Sequence, residues 1–134
     1  MISYDANVLI YAFESDTKWS GQSRRIVSSG EQETAALSVL IKQEVLTGAA
    51  LQGKAVARKM RDILQHFENT KFVPVTLAIV ERAVELTAKY GRQLKGYDAI
   101  HLAAAIEHGA TVFYTNDQTM LELGVTEIVV KSLE

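Results

Sequence analysis

An α/β fold, with a central, mostly parallel sheet covered by helices on both faces, is predicted by two features of the chain. Short apolar segments of strand length alternate with longer segments of helical periodicity. Acidic residues stand at the ends of the first and fourth of those strands, Asp5 and Asp117, and open parallel sheets bind their ligands beyond the carboxyl ends of the strands. At 134 residues, 48% hydrophobic and 22% charged, the chain is expected to form one domain over residues 1–134 around a single core.

The elements follow in order. A strand is predicted over Ile2 to Tyr4, and then Ala6 to Phe13, whose Val8, Leu9, Ile10 and Tyr11 begin a helix, with Asp5 at the junction. A second helix is expected over residues 17–28, with Trp19, Ser23, Ile26 and Val27 near one face and Gly30 ending it. Thr34 to Leu37 reads as the second strand. Ser38 is placed to cap the next helix, along which Leu37, Ile41, Glu44 and Gly48 trace one stripe, so Glu44 is an acid within an apolar face.

From Lys54 to Phe67 the residues Val56, Met60, Ile63, Leu64 and Phe67 recur at helical spacing, while Lys54, Arg58 and Arg61 make the polar face basic. The third strand is expected over Phe72 to Val75, and Pro74 assigns it to a sheet edge or an early end. Thr76 to Tyr90 is an amphipathic helix with Leu77, Val80 and Val84 on its apolar side and Gly91 as its C-terminal cap. Asp98 opens a helix over Ala99 to His108, which Gly109 ends. A strand over Thr111 to Tyr114 runs into Thr115, Asn116 and Asp117, and Ile128 to Val130 is the last strand.

Composition excludes several classes of function. The absence of cysteine rules out disulfides, zinc–thiolate sites and thiol nucleophiles. No basic segment leads into an apolar run and cleavage site, and no apolar stretch approaches the roughly 20 residues of a membrane helix, so a cytoplasmic protein with no membrane association is expected. A net charge of -2 offers no global attraction to nucleic acid, and polyanion binding must come from a local basic patch or a metal.

The chemistry is expected from Asp5, Glu44, Asp98 and Asp117, four acids set in apolar surroundings. A buried, unpaired carboxylate is costly, so four that converge need a cation of high charge. Mg2+ or Mn2+ suits hard oxygen ligands and is commonly held by a few carboxylates together with substrate phosphate oxygens. Hydrolysis of a phosphodiester in RNA or DNA is the natural outcome. Each acid alone has a plainer explanation: Asp5 and Asp98 as helix N-caps, Glu44 at the edge of its stripe, Asp117 as a turn residue. His101, one helical turn from Asp98, either orients a carboxylate or water or is a packed histidine.

Four segments together resemble the ordered motifs of PIN-domain ribonucleases: Asp5-Ala6-Asn7-Val8-Leu9-Ile10, Glu44 in Lys-Gln-Glu-Val-Leu, Tyr97-Asp98-Ala99-Ile100-His101-Leu102-Ala103, and Thr115-Asn116-Asp117. Within that family the size and motif style are most similar to the VapC-type toxins of bacterial toxin–antitoxin pairs. The resemblance implies a Rossmann-like three-layer sandwich and an endoribonuclease dependent on Mg2+ or Mn2+. It also implies a homodimer inhibited by a small co-encoded antitoxin. Asp5, Glu44, Asp98 and Asp117 become the acidic metal site, and Asn7, Thr115 and Asn116 orient its carboxylates or waters. Ala6 stands where Thr or Ser is frequent, and Thr119 where some members carry another acid. Lys54, Arg58 and Arg61 are candidates for contact with RNA phosphates.

Two rivals share the architecture: a PIN-like nuclease that is not a toxin, acting on RNA or DNA, and a non-catalytic signalling domain that binds metal or phosphate. A response-regulator receiver needs an acidic pair near the first strand and a lysine after the last core strand, and neither stands clearly here. A haloacid-dehalogenase phosphatase needs aspartate where Asn7 stands.

Overall fold

The computed structural model describes residues 1–13 and 17–134, and its centre is a five-stranded, all-parallel sheet. The strands are β1 (Ile2–Tyr4), β2 (Ala35–Ser38), β3 (Thr70–Val73), β4 (Val112–Tyr114) and β5 (Val129–Lys131), in the spatial order β3-β2-β1-β4-β5. The carboxyl ends of β1, β4 and β5 align, with Tyr4 opposite Tyr114 and Tyr114 opposite Lys131. Seven helices are described: α1 (Ala6–Phe13), α2 (Ser20–Glu33), α3 (Val39–Gln52), α4 (Lys54–Gln65), α5 (Leu77–Tyr90), α6 (Gly96–Glu107) and α7 (Gln118–Glu122). No described helix is long and apolar enough to cross a membrane.

Successive strand residues point to opposite sheet faces, and the core divides accordingly. Ile2, Tyr4, Ala35 and Leu37 pack with Val8, Leu9, Val27, Ile41 and Leu64 from the first four helices. On the other face Ala36, Val73 and Phe113 pack with Ile79, Leu86, Leu102 and the alanines of α6. Both faces are covered, which is why the strands read as near-continuous apolar runs.

Several expectations need correction. Helix α2 does not end at Gly30 but runs on to Glu33. Gly30 faces the sheet, where a Cβ would lie 3.1 Å from Ala35 Cβ and 3.4 Å from Ile2 Cδ1, so the missing side chain permits close approach of helix to strand. The apolar side predicted for α5 faces outward: Leu77 is 75% exposed and Val84 60%, while Ile79, Ala83 and Leu86 are buried. The third strand ends at Val73, before Pro74, and lies at the sheet edge as the proline requires. Helix α4 stops at Gln65, two residues short of Phe67. Gly91 does cap α5, with φ +94° and its N–H on Thr87 O at 2.8 Å.

Candidate active site

The chain lays down β1, β2 and β3 in one direction and then crosses to β4 and β5 on the other side of β1. A crevice opens at such a switch point, at the carboxyl ends of the two strands that flank it. Asp5 follows β1 directly, and Thr115, Asn116 and Asp117 follow β4. The Asp5 N–H donates to Tyr114 O at 3.1 Å and so extends the β1–β4 pairing into the site.

Thr115, fully buried, joins two of the acids. Its hydroxyl donates to Asp5 Oδ2 at 2.7 Å and accepts the Asp117 N–H at 3.0 Å. The other Asp5 oxygen receives the Asn7 N–H at 3.4 Å, a long contact. Asp117 caps the short helix α7, with Oδ1 accepting the Thr119 N–H at 2.9 Å. That helix was not foreseen from the sequence.

Asp98 is the third residue of α6 and not its cap. The helix starts at Gly96, whose φ of +59° lets the chain turn in earlier than expected, and the N-cap residue is Lys95. The Asp98 carboxylate is therefore not engaged by the helix backbone. Its pKa is raised, first by burial and then by the charges of Asp5 and Asp117, with a smaller contribution from Glu44 and an opposing one from His101. The other three acids thus all act on Asp98.

Glu44 reaches this group from the second turn of α3. The buried face of α3 is Ile41, Val45 and Ala49, so Glu44 lies beside that stripe instead of within it. Its Oε1 lies 2.7 Å from Nε2 of His101, a residue only 2% exposed. Among the described residues no lysine or arginine forms an ion pair with any of the four acids.

Carboxylate oxygens with uncompensated negative charge are the donor set that a hard divalent cation takes. As the side chains stand, no group of three or more described His, Asp or Glu residues is gathered closely enough to hold an ion.

The remaining candidates fall in different places. Asn7 is exposed, and its link to Asp5 is through its backbone; the Asn116 side chain makes no hydrogen bond within the described residues. Lys54, Arg58 and Arg61 line one cleft of about 510 Å3 with Ala50 and Ala57, exposed and without ion pairs. A larger apolar cleft, about 540 Å3 between α5 and α6, is lined by Val80, Ala83, Val84, Lys95 and Ile100 and contains none of the four acids.

A family model described as the PIN domain matches residues 2–125, and the chain belongs to the PIN-domain family, a family of nucleases. No curated protein matches it. Solved structures with the same fold include a toxin–antitoxin complex from Klebsiella pneumoniae, 23% identical, covering 96% of each chain with a TM-score of 0.75. A second is Mycobacterium tuberculosis VapC20, a sarcin–ricin loop cleaving toxin, 18% identical over 96% of this chain and 99% of that one, with a TM-score of 0.74. A third is FitAcB from Neisseria gonorrhoeae, 16% identical over 97% of this chain and 96% of that one, with a TM-score of 0.73. At these identities the likeness is one of fold.

Proposed function

We propose that the chain is an endoribonuclease dependent on Mg2+ or Mn2+ that hydrolyses RNA phosphodiester bonds, and that it serves as the toxin of a toxin–antitoxin pair. The observation that supports the nuclease reading is geometric: Asp5 and Asp117 stand at the carboxyl ends of β1 and β4, joined by the buried Thr115 hydroxyl, and the charges of Asp5, Asp117 and Glu44 act together with burial on Asp98. Asp5, Glu44, Asp98 and Asp117 would hold the cation. Bound there, it supplies neutralisation of phosphodiester charge and acidification of a water. Thr115 keeps the Asp5 and Asp117 segments in register with each other. Lys54, Arg58 and Arg61 form a second, basic cleft whose charge suits RNA phosphates in a chain of net charge -2.

The toxin assignment rests on the toxin–antitoxin complex and the toxin among the similar structures and on the motif resemblance. It implies a co-encoded antitoxin placing a cationic side chain among the same four acids, where it competes with the metal. It also implies a homodimer. The outward stripe of α5 suits a two-fold contact: Leu77, Val80 and Val84 are exposed, and Val80 and Val84 line an apolar cleft between α5 and α6.

Cleavage of RNA by the purified protein is expected with Mg2+ or Mn2+ and is expected to vanish in excess chelator and in Asp5→Asn, with the fold retained by circular dichroism. Undiminished cleavage in chelator sinks the metal mechanism. Equal cleavage of single-stranded DNA would favour the rival nuclease that is not a toxin.

A further inference from the structure

His101 is the most deeply buried ionisable ring in the site, and its one hydrogen bond goes to an acid on another helix. Nε2 lies 2.7 Å from Glu44 Oε1, while Nδ1 is buried with no hydrogen-bond partner among the described residues. An ionised carboxylate only accepts, so Nε2 carries the hydrogen of this bond. A histidine needed only for packing would be served better by an apolar residue, since burying an unpaired ring nitrogen is costly. Nothing but Glu44 offsets that cost here.

The placement is also informative. His101 stands one turn after Asp98 on α6, so the bond ties Glu44 of α3 to the helix that carries Asp98. The adjacent pair repeats the connection: Tyr97 OH donates to Gln43 Oε1 at 3.2 Å, and the Tyr97 and His101 rings lie 6.2 Å apart. Two neighbouring residues of α3 are latched to two residues of one face of α6. Glu44 Oε2 has no protein partner among the described residues.

We infer that His101 is a positioning residue: its Nε2–H holds one oxygen of Glu44 and leaves the other free for a divalent cation shared with Asp98. Resting on the metal-dependent reading above, this assigns to the buried ring a role in metal affinity. Partners of this kind, acting through a metal ligand, are typically worth about 10- to 100-fold in affinity.

Mn2+ binding, followed by electron paramagnetic resonance of the free ion, tests the inference in wild type, Glu44→Gln, His101→Leu, His101→Gln and the double variant Glu44→Gln, His101→Leu. Expected are losses of about 10-fold or more in Glu44→Gln and His101→Leu, no further loss in the double variant, and substantial recovery in His101→Gln, which retains an N–H at similar reach. Wild-type affinity in His101→Leu, or losses that multiply in the double variant, overturns it. If Glu44→Gln and Asp98→Asn both bind Mn2+ like wild type, the metal site itself is refuted and the inference with it, an outcome distinct from failure at His101 alone. Should His101→Leu not fold, the nitrogen-15 spectrum of the wild-type imidazole decides. An Nε2–H resonance that moves on addition of Mg2+ in wild type but not in Glu44→Gln supports the role, and one indifferent to Mg2+ in both overturns it.

Discussion

Asp98 is half-buried among three other carboxylates, makes no hydrogen bond of its own within the described residues, and has a pKa above the ordinary aspartate range because of burial and those charges. In the folded state it therefore keeps a proton to higher pH than it does in the unfolded chain. Below both values the two states are equally protonated and nothing is lost. As pH rises from the ordinary aspartate range through the raised value, stability falls. Asp98→Asn removes this penalty. In metal-free buffer the variant is expected to be more stable than wild type, by a margin that grows with pH across that window and then levels off, while nuclease activity is lost. Thermal melts from pH 3 to pH 8 check the prediction, and a margin independent of pH would contradict it. Asp5, Glu44, Asp98 and Asp117 stand out in the sequence because charge in apolar sequence is expensive, and the structure brings the charges of the other three to bear on Asp98. The place of Asp98 within its helix was not legible, because the helix start depends on the left-handed backbone of Gly96. Nor was the Thr115 bridge, which joins residues 110 apart.

Helices α2 and α5 show what periodicity leaves undecided. Gly30 looks like a helix end, yet it lies inside α2 at its closest approach to β1 and β2. Alanine there gains about 1 kcal/mol in helix propensity but forces contact with Ala35 Cβ, which the backbone holds in place, and overpacking costs typically 1–3 kcal/mol. Gly30→Ala is expected to lower stability by about 1 kcal/mol in urea unfolding, and a stabilised variant would show that the helix can lift from the sheet at no cost. In α5 two apolar stripes satisfy the helical period. The stripe of Leu77, Val80 and Val84 was expected inside, but the fold buries Ile79, Ala83 and Leu86. Small Ala83 suits a helix packed against the alanine-rich α6, a tertiary demand that no single segment reveals. Val84→Asp tests the proposed two-fold contact: sedimentation is expected to show a wild-type dimer and a monomeric, folded variant. A dimer surviving the charge would place the interface elsewhere.

At the scale of the molecule, the alternation of strands and helices made the parallel sheet readable, and Pro74 marked β3 as an edge. The order of strands was not, since it depends on which neighbour each strand finds after the chain turns back. That order has a consequence in time. Emerging from a ribosome, the chain can pair β1 with β2 and β2 with β3 early, but the other side of β1 stays open until β4 has been made. Asp5 then lacks Thr115, and Asp117 does not yet exist. A chain ending at Ala110 thus carries Asp5, Glu44 and Asp98 but neither Thr115 nor Asp117, and on the function proposed above that fragment is expected to leave RNA intact under conditions where the full chain cleaves it. The crossing of the sheet acts as a timer: the proposed site cannot close until β4, in the last fifth of the chain, has been made.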